Sequence, residues 1–274
     1  MSFRSRLFLA FLLLLLVPLG VLAIGVRREM ERRVTAEYRE RVRSLAELVR
    51  LDLAREGEEI SRRLAALRRD LASDNRFRTA ALQEDPALRT WQLDWAAGAR
   101  GPTGLDYLWL QDSAGRVLSS GHFRNEFDRV EPDLARLLGS AAGTPALLRA
   151  RTADSTMLVV ARADSFRVAG RLYRLIGGKA LDVATLAPAA QARGLAVHVR
   201  LPNQPSATGD SLGVADAFGV RLVDTREPGS TTADTARVTV TQSLAPLEEL
   251  RRSVDGWFGA ALAFTAGAAV LVAL

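Results

Sequence analysis

The chain has no cysteine and, among its 274 residues, only two histidines and a single lysine, Lys179. The absence of cysteine excludes disulfides and thiolate metal sites. His122 and His198 alone cannot build an ordinary histidine-rich zinc site, so we expect neither a metal nor another cofactor. Nearly all positive charge behind the net +6 is arginine, interleaved with Asp and Glu. No basic stripe with interleaved aromatics is visible, which argues against nucleic-acid binding.

Enzymatic motifs are missing as well. The sequence contains no glycine-rich phosphate loop and no HExxH motif. Ser119, Ser120 and Ser243 lack the GxSxG context of a nucleophilic serine. His122 is followed by Phe-Arg-Asn and His198 by Val-Arg-Leu, whereas a phosphoacceptor histidine has an acidic residue next and a proline shortly after. We therefore expect no catalytic residue and no catalytic module within these 274 residues.

Two runs without charge have the length of a membrane-spanning helix, about 20 residues. The first is 7–26 (LFLAFLLLLLVPLGVLAIGV), and the second is 257–274 (WFGAALAFTAGAAVLVAL). The first run is longer than a signal-peptide core and has a poor cleavage site, which favours an uncleaved anchor. We predict transmembrane helix 1 at 7–26 and, over 246–274, a helix that continues into a truncated transmembrane helix 2. A chain that stops inside such a run suggests the front part of a longer protein.

The orientation of the chain in the membrane is less clear from its charges. Arginines precede the first run and predict a cytoplasmic N-terminus at 1–6, but four more follow the run closely. Counted locally, these charges oppose export, although long segments cross the membrane largely regardless of charge. We expect a two-pass protein of a bacterial inner membrane, with its central domain outside the cytoplasm.

A long helical stalk is predicted over 27–97, beginning with one helix from Arg28 to about Ser73. Two quartets of apolar residues, spaced by four, three and four, each fall on one stripe of this helix. They are Tyr38, Val42, Leu45 and Val49, and then Ile60, Leu64, Leu67 and Leu71. The stripes suit either a coiled coil with a second chain or packing on the helix's own domain. Both alternatives stay open at this point.

A small α/β domain is predicted over 105–245. Its first element is a hairpin, in which residues 107–110 and 116–120 flank the turn Asp112-Ser113-Ala114-Gly115. Further strands are expected at 156–161, 170–177 (with a turn near Asp164), 195–201, 218–223 and 237–241, and helices at 79–83, 86–97, 132–138 and 182–193. Residues 98–104 and 202–213 read as a linker and a loop. The fold class is α+β: a long N-terminal helix and an antiparallel sheet, flanked by two transmembrane helices.

Three segments resemble known receptors. The stretch Leu108–Leu118 (LWLQDSAGRVL) resembles the first hairpin of Cache and PAS-like extracytoplasmic sensor domains. Tyr173–Asp182 (YRLIGGKALD) is similar to a later strand and turn in NtrY-like sensor histidine kinases. Thr239–Leu247 (TVTQSLAPL) looks like the last strand entering the second membrane helix of such receptors.

The resemblance implies the sensor region of a two-component histidine kinase whose kinase lies beyond residue 274. It implies a homodimer in a lipid bilayer, an unknown small-molecule or envelope signal, and a response regulator acting through the missing kinase. The alternatives are a chemoreceptor, a diguanylate cyclase, or a two-pass membrane scaffold that binds no ligand.

A PAS-like fold implies a ligand cavity between the sheet and its helices. The candidate lining residues are Trp109, His122, Arg124, Met157, Arg162, Arg171 and Tyr173. Arg162 and Arg171 are candidates to clamp a carboxylate through their guanidinium groups. The competing interpretation is that Trp109 and Met157 are plain core and that the arginines are solvated.

The last helix carries small residues four apart, at Gly259, Ala263 and Gly267. This spacing suits close helix packing in lipid. Because alanine is common throughout the run, the spacing also fits chance.

Overall fold

The computed structural model describes residues 3–83, 86–139, 145–182, 195–202 and 213–244, and nine separate helical positions between 249 and 263. The predicted helix 182–193 and loop 202–213 fall almost wholly outside these residues. Among the described residues, no helix is both long enough and apolar enough to cross a membrane.

One helix of 71 residues, α1 (Phe3–Ser73), is the longest element of the molecule. It includes the predicted stalk helix and continues without a break back through the first apolar run. Asp74 ends it, because its backbone is extended and its carboxylate accepts a hydrogen bond from the amide of Arg76 at 2.7 Å. Asp74 is thereby the N-cap of α2 (Asn75–Leu82).

The inner stripe of α1 packs on its own domain. Its buried residues recur every three or four positions, at Val42, Ala46, Val49, Leu53, Gly57, Ile60, Leu64, Leu67 and Leu71. Of the two alternatives for the apolar stripes, the structure therefore shows packing against the sheet. The close approach is visible at Gly177, where an added Cβ would lie 2.7 Å from a methyl carbon of Leu64.

After α3 (Pro86–Thr103), the chain forms an eight-stranded sheet. The strands are β1 (Tyr107–Gln111), β2 (Val117–Ser120), β3 (Ala146–Arg151), β4 (Thr156–Val168), β5 (Arg171–Ala180), β6 (Leu195–Arg200), β7 (Gly213–Asp224) and β8 (Thr232–Ser243). Helix α4 (Leu134–Gly139) lies between β2 and β3. The spatial order is β2-β1-β5-β4-β3-β7-β8-β6.

The sheet is mixed, so the expectation of a purely antiparallel sheet was wrong. Residues 147–149 of β3 run parallel to 222–224 of β7 and join five antiparallel strands to a second group of three. Strand β3 (ALLRAR) is not predicted from the sequence, because this short run, with arginines at two of its six positions, does not alternate clearly.

The first hairpin is confirmed, with Leu110 opposite Ser119. One carboxylate oxygen of Asp112 accepts hydrogen bonds from the amides of Ala114 and Arg116, each at 2.9 Å. Gly115 has φ +82°, and a Cβ there would lie 2.5 Å from the Cα of Pro132, so this position requires glycine.

Two other turn predictions were wrong. Residues 98–104, expected to form a linker, continue α3 as far as Thr103, because helical packing on the sheet overrides the weak helix propensity of glycine. The turn expected near Asp164 lies instead at Ala169-Gly170, where both φ angles are positive. Asp164 is inside β4, opposite Leu175.

The sheet separates two apolar cores. One core, under α1, contains Leu108, Val160, Tyr173 and Leu175. The other, on the opposite face, contains Trp109, Val159 and Ile176 and is covered by α4. Side chains of neighbouring strand residues point to opposite faces, so adjacent residues enter different cores.

Candidate functional site

The sheet divides the predicted pocket residues into two groups. Trp109 and Met157 lie on the face away from α1, and His122 packs there against Trp109. Tyr173 belongs to the core under α1, and Arg162 lies there beside Gly57 of that helix. Arg171 shares the face of Tyr173 because it is two residues earlier on β5. The seven residues therefore do not line one cavity.

Arg162 and Arg171 are not brought together. Arg162 pairs with Gly177 and Arg171 with Val168, so six residues of β5, roughly 20 Å, separate them. Arg162 is 7 % exposed, with its guanidinium 3.9 Å from Glu58, whereas Arg171 is exposed.

Three other candidates have ordinary surroundings. The ring of Tyr173 contacts that of Phe77 edge-on at 4.9 Å, as in a packed core. Arg124 is exposed and bonded to Asp94 at 2.7 Å. Met157 is half-buried against the second core.

Tyr107, Trp109, Ser120 and His122 do come together, and we call them the aromatic-polar site. Tyr107 and Trp109 point to the same face because they are two residues apart on β1. The imidazole of His122 stacks on Tyr107 with 4.1 Å between ring centroids, and its centroid lies 5.9 Å from that of Trp109. Ser120, opposite Trp109 in the sheet, accepts a hydrogen bond from the indole N–H at 3.0 Å.

Two polar atoms of this site are buried without a hydrogen-bond partner in the described part of the chain. They are the hydroxyl oxygen of Tyr107 and Nε2 of His122. Burial, together with the positive charges of Arg100 and Arg129, lowers the pKa of His122 to about 3, against a smaller opposing effect of the Arg151 backbone. Burial raises the pKa of Tyr107 well above its usual value, so both groups are neutral at physiological pH. Both can therefore hydrogen-bond a small polar molecule.

An arginine and two carboxylates adjoin the site, and we call Glu126, Arg129 and Glu131 the buried charge network. Arg129, whose side chain is 7 % exposed, pairs with Glu126 at 2.8 Å and with Glu131 at 2.9 Å. Its guanidinium lies 5.5 Å from the centroid of the Trp109 ring. Burial raises the pKa of Glu126, while the charge and hydrogen bond of Arg129 oppose this rise.

The buried charge network also holds the connection between β7 and β8. One oxygen of Glu131 accepts a hydrogen bond from the amide of Gly229 at 2.7 Å, and the other accepts one from the hydroxyl of Thr231. Arg129 donates to the carbonyl oxygens of Thr225 and Glu227. The aromatic-polar site is thus connected, through Arg129 and Glu131, to the residue that precedes β8.

Sequence reasoning missed this network. Glu126, Arg129 and Glu131 look like ordinary surface charges in a chain rich in Arg and Glu, and their partners are almost 100 residues away. Among the described residues, no group of three acidic or histidine side chains could hold a metal ion.

The helix-packing candidates are described only in part. Gly259 and Ala263 are helical, four residues apart and so on one helix face, whereas Gly267 lies outside the described residues. A Cβ added at Gly259 would meet nothing within 4 Å. Nearby, Asp255 forms an ion pair with Arg27 of α1 at 2.8 Å.

No protein-family model and no curated protein matches the chain. Among solved structures, it is similar to the periplasmic domain of Vibrio cholerae LuxQ (16% identity, TM-score 0.36, covering 74% of this chain and 99% of that one). It is also similar to the sensor domain of the V. cholerae histidine kinase DctB (9%, 0.45, covering 76% and 98%). A third similar structure is named methyl-accepting chemotaxis protein X (14%, 0.40, covering 76% and 98%). With TM-scores below 0.5, these likenesses are too distant to assign a function.

Proposed function

We propose that this chain is the membrane-anchored, extracytoplasmic sensing region of a two-component sensor histidine kinase. The observation that carries the proposal is the ion pair between Arg27 and Asp255. Arg27 directly follows the first apolar run, and Asp255 lies two residues before the second. The end of the first run and the start of the second are therefore close together, as expected for two adjacent membrane helices of one receptor.

The proposal includes two membrane spans, and it rests for them on the uncharged runs 7–26 and 257–274. It also includes a PAS/Cache-like assignment for the sheet. The long helix α1 covers one face of the sheet, and the short helix α4 covers the other. We assign the sensing side to the face with the shorter cover, which carries the second core.

Signal transfer would start at the aromatic-polar site. A molecule that hydrogen-bonds Tyr107 and His122 would displace or fix Trp109, on which Arg129 rests. Arg129 and Glu131 hold the turn that begins β8, and β8 leads to the helix bearing Asp255. From Trp109 to the start of β8, each step of this coupling is a pair of adjacent packed or hydrogen-bonded groups, so this part needs no distant contact.

The proposed receptor is a homodimer, as histidine-kinase output requires. The side chains of Val42 and Val49 are buried against the sheet, so the dimer contact would use the other side of α1. There, Leu48 and Leu51 are 55% and 46% exposed and one turn apart. Signalling would pass to a response regulator through the kinase beyond residue 274.

The sidedness of the domain is tested with an export-dependent reporter enzyme fused after Asp255. We expect activity only if residues 27–255 cross the membrane. An inactive but intact fusion would place the domain in the cytoplasm and contradict the proposal.

The sensing role is tested by fusing residues 1–274 to the dimeric core of a histidine kinase and measuring basal autophosphorylation in membranes. Arg27→Asp or Asp255→Arg should each change the output about two- to fivefold, since an exposed ion pair is worth up to about 1 kcal/mol. Combining both substitutions should restore the original level. Arg28→Asp is the control, because it makes the same charge change at the neighbouring exposed position. Equal output from all these forms would contradict a signalling role for this pair.

A further inference from the structure

Two adjoining cavities lie between α1 and β7, with volumes of about 260 and 280 Å³. Both are lined by Arg50 and Phe218, and we call them together the α1–β7 cleft. Ligand pockets generally begin at about 300 Å³, and the joined cavities exceed this size. None of the residues of the aromatic-polar site lines the cleft.

The cleft exists because β7 extends past the strand beside it. In the described chain, β3 starts at Ala146 and pairs with β7 only from Leu222 onward. Residues 218–221 of β7 pair with β8 on one side, and on the other side face the space bounded by α1, α4 and Pro145.

The inner cavity has a mainly apolar lining, and its two charged lining residues are Arg50 and Arg221, whose guanidinium donates to the carbonyl oxygen of Leu137 at 3.0 Å. Leu53 comes from α1, Leu138 from α4, and Val220 from β7. An apolar cavity of this kind is a poor place for water, which needs two to four polar partners. It therefore suits the hydrocarbon part of a ligand.

The outer cavity is lined by two arginines and two carboxylates, and the charged residue that it shares with the inner cavity is an arginine. Arg43 and Arg50 line it together with Glu47 and Asp216, and Arg50 borders both cavities. The Arg50 guanidinium lies over the Phe218 ring, 5.1 Å from its centroid. Cation–π contact of this kind positions the planar donor group at the entrance to the apolar part.

The ion pair that Arg50 forms with Glu47 is weak. Glu47 is 3.4 Å away, and both side chains are more than half exposed. Exposed pairs of this type contribute about 0–1 kcal/mol, so a bound anion can take the place of Glu47. A carboxylate or phosphate matches the guanidinium fork with two hydrogen bonds.

We propose that the α1–β7 cleft binds a small amphipathic anion, with a short hydrocarbon chain in the inner cavity and its anionic group at Arg50. The ligand class is a medium-chain carboxylate or an alkyl phosphate. The inference does not depend on the kinase assignment. Such a ligand would add contacts between α1 and β7, the two elements that form the walls of the cleft.

The experiment is equilibrium dialysis of the full chain in phosphatidylcholine nanodiscs, with empty nanodiscs as blank. The probes are hexanoate, hexyl phosphate, hexanol and acetate. We expect saturable binding of one hexanoate or one hexyl phosphate per chain, and the stronger of the two identifies the anionic group. Acetate lacks the chain and hexanol lacks the charge, so each should bind at least tenfold more weakly.

Arg50→Gln should weaken binding of the anionic probe about tenfold, because a charge-assisted hydrogen-bonding pair is lost. Arg55→Gln is the matched control: it lies on the same helix, pairs only weakly with Asp52, and does not line the cleft. Arg43→Gln should also weaken binding of the anionic probe, because Arg43 lines the outer cavity. Thermal unfolding of each variant checks that the fold is intact. Any of three results would overturn the proposal. They are an absence of saturable binding, equal binding of acetate and hexanoate, and an equal loss of probe affinity in the Arg50 and Arg55 variants.

Discussion

His122 is largely buried between aromatic rings and arginines, and it should therefore make stability depend on pH. Its pKa is about 3 in the folded protein, against a usual value of 6.5. The unfolded chain takes up a proton at this residue as the pH falls below 6.5, whereas the folded chain does not until about pH 3. Stability is thus fully present above pH 6.5 and is lost as the pH falls through this window.

We expect His122→Phe to reduce the stability lost between pH 8 and pH 5 by about 2 kcal/mol, since each unit of pKa difference is worth about 1.4 kcal/mol. The substitution keeps a ring against Tyr107 and removes only the titrating group. The raised pKa of Glu126 acts in the opposite direction, because that carboxyl favours the folded state when protonated, but it is present in both proteins and cancels. Urea unfolding at the two pH values measures the difference.

His198→Phe is the control for this measurement, because His198 is the other histidine and is exposed on β6. It should retain the pH dependence of the unsubstituted chain. If His122→Phe instead retained the full pH dependence, the burial and neutrality of His122 would be refuted.

Individual residues were the least predictable part of the molecule. The sequence led to Trp109 and His122, because an aromatic strand and a nearby histidine stand out in a chain with few of either. It also grouped Arg162 and Arg171 with them, although strand alternation and a distance of six residues place these arginines elsewhere. The burial of Glu126, Arg129 and Glu131 depends on contacts with residues 225–231, and no local pattern encodes such contacts.

At the scale of elements, α1 organises the fold because its apolar stripe packs on β4, β5, β7 and β8. Leu64 is fully buried and packs closely against Gly177, where an added Cβ would lie 2.7 Å from a methyl carbon of Leu64. Leu48, on the same helix, is 55% exposed. These two leucines give a matched pair in which chemistry and helix propensity are the same and only burial differs.

Leu64→Ala should destabilise the protein by about 2–5 kcal/mol, because it removes buried methyl groups and leaves a cavity against β5. Leu48→Ala should change the free energy of unfolding of one chain by no more than about 0.5 kcal/mol. Urea unfolding of both variants at one pH, at a protein concentration at which the chain is monomeric and the proposed dimer contact of Leu48 is therefore absent, measures this difference. Comparable losses in both would mean that α1 does not pack through the stripe described.

Elements with a regular apolar period were predicted well from sequence, and irregular ones were not. The helix Arg28–Ser73 and the first hairpin followed directly from spacing and turn residues. The strand β3 was missed, and α3 was ended too early at Gly98, because packing on the sheet overrides local propensity at both places. The turn after β4 was placed at Asp164 because aspartate favours turns, yet the chain turns at Ala169-Gly170.

At the scale of the whole molecule, two groups of strands meet at the short parallel contact between β3 and β7. The buried charge network reinforces this junction, since Arg129 and Glu131 precede β3 and hold the connection after β7. The network therefore links the five-stranded part to the start of β8. The stability of this junction therefore depends on contacts between the two groups of strands and not on either group alone.

Arg129→Met should cost about 3–5 kcal/mol, because it leaves Glu126 and Glu131 buried without their cation. The amides of residues 226–231 should also exchange hydrogen faster than in the unsubstituted chain, since Thr225 and Glu227 lose their donor. Arg136→Met is the control: Arg136 is 70% exposed and pairs with Asp133 on the surface, so its loss should be within about 0.5 kcal/mol. Adding Glu126→Gln and Glu131→Gln to Arg129→Met should recover part of the lost stability, because no buried charge then remains unpaired. Equal effects of the two arginine substitutions, or unchanged exchange at 226–231, would show that the network does not join the two parts of the sheet.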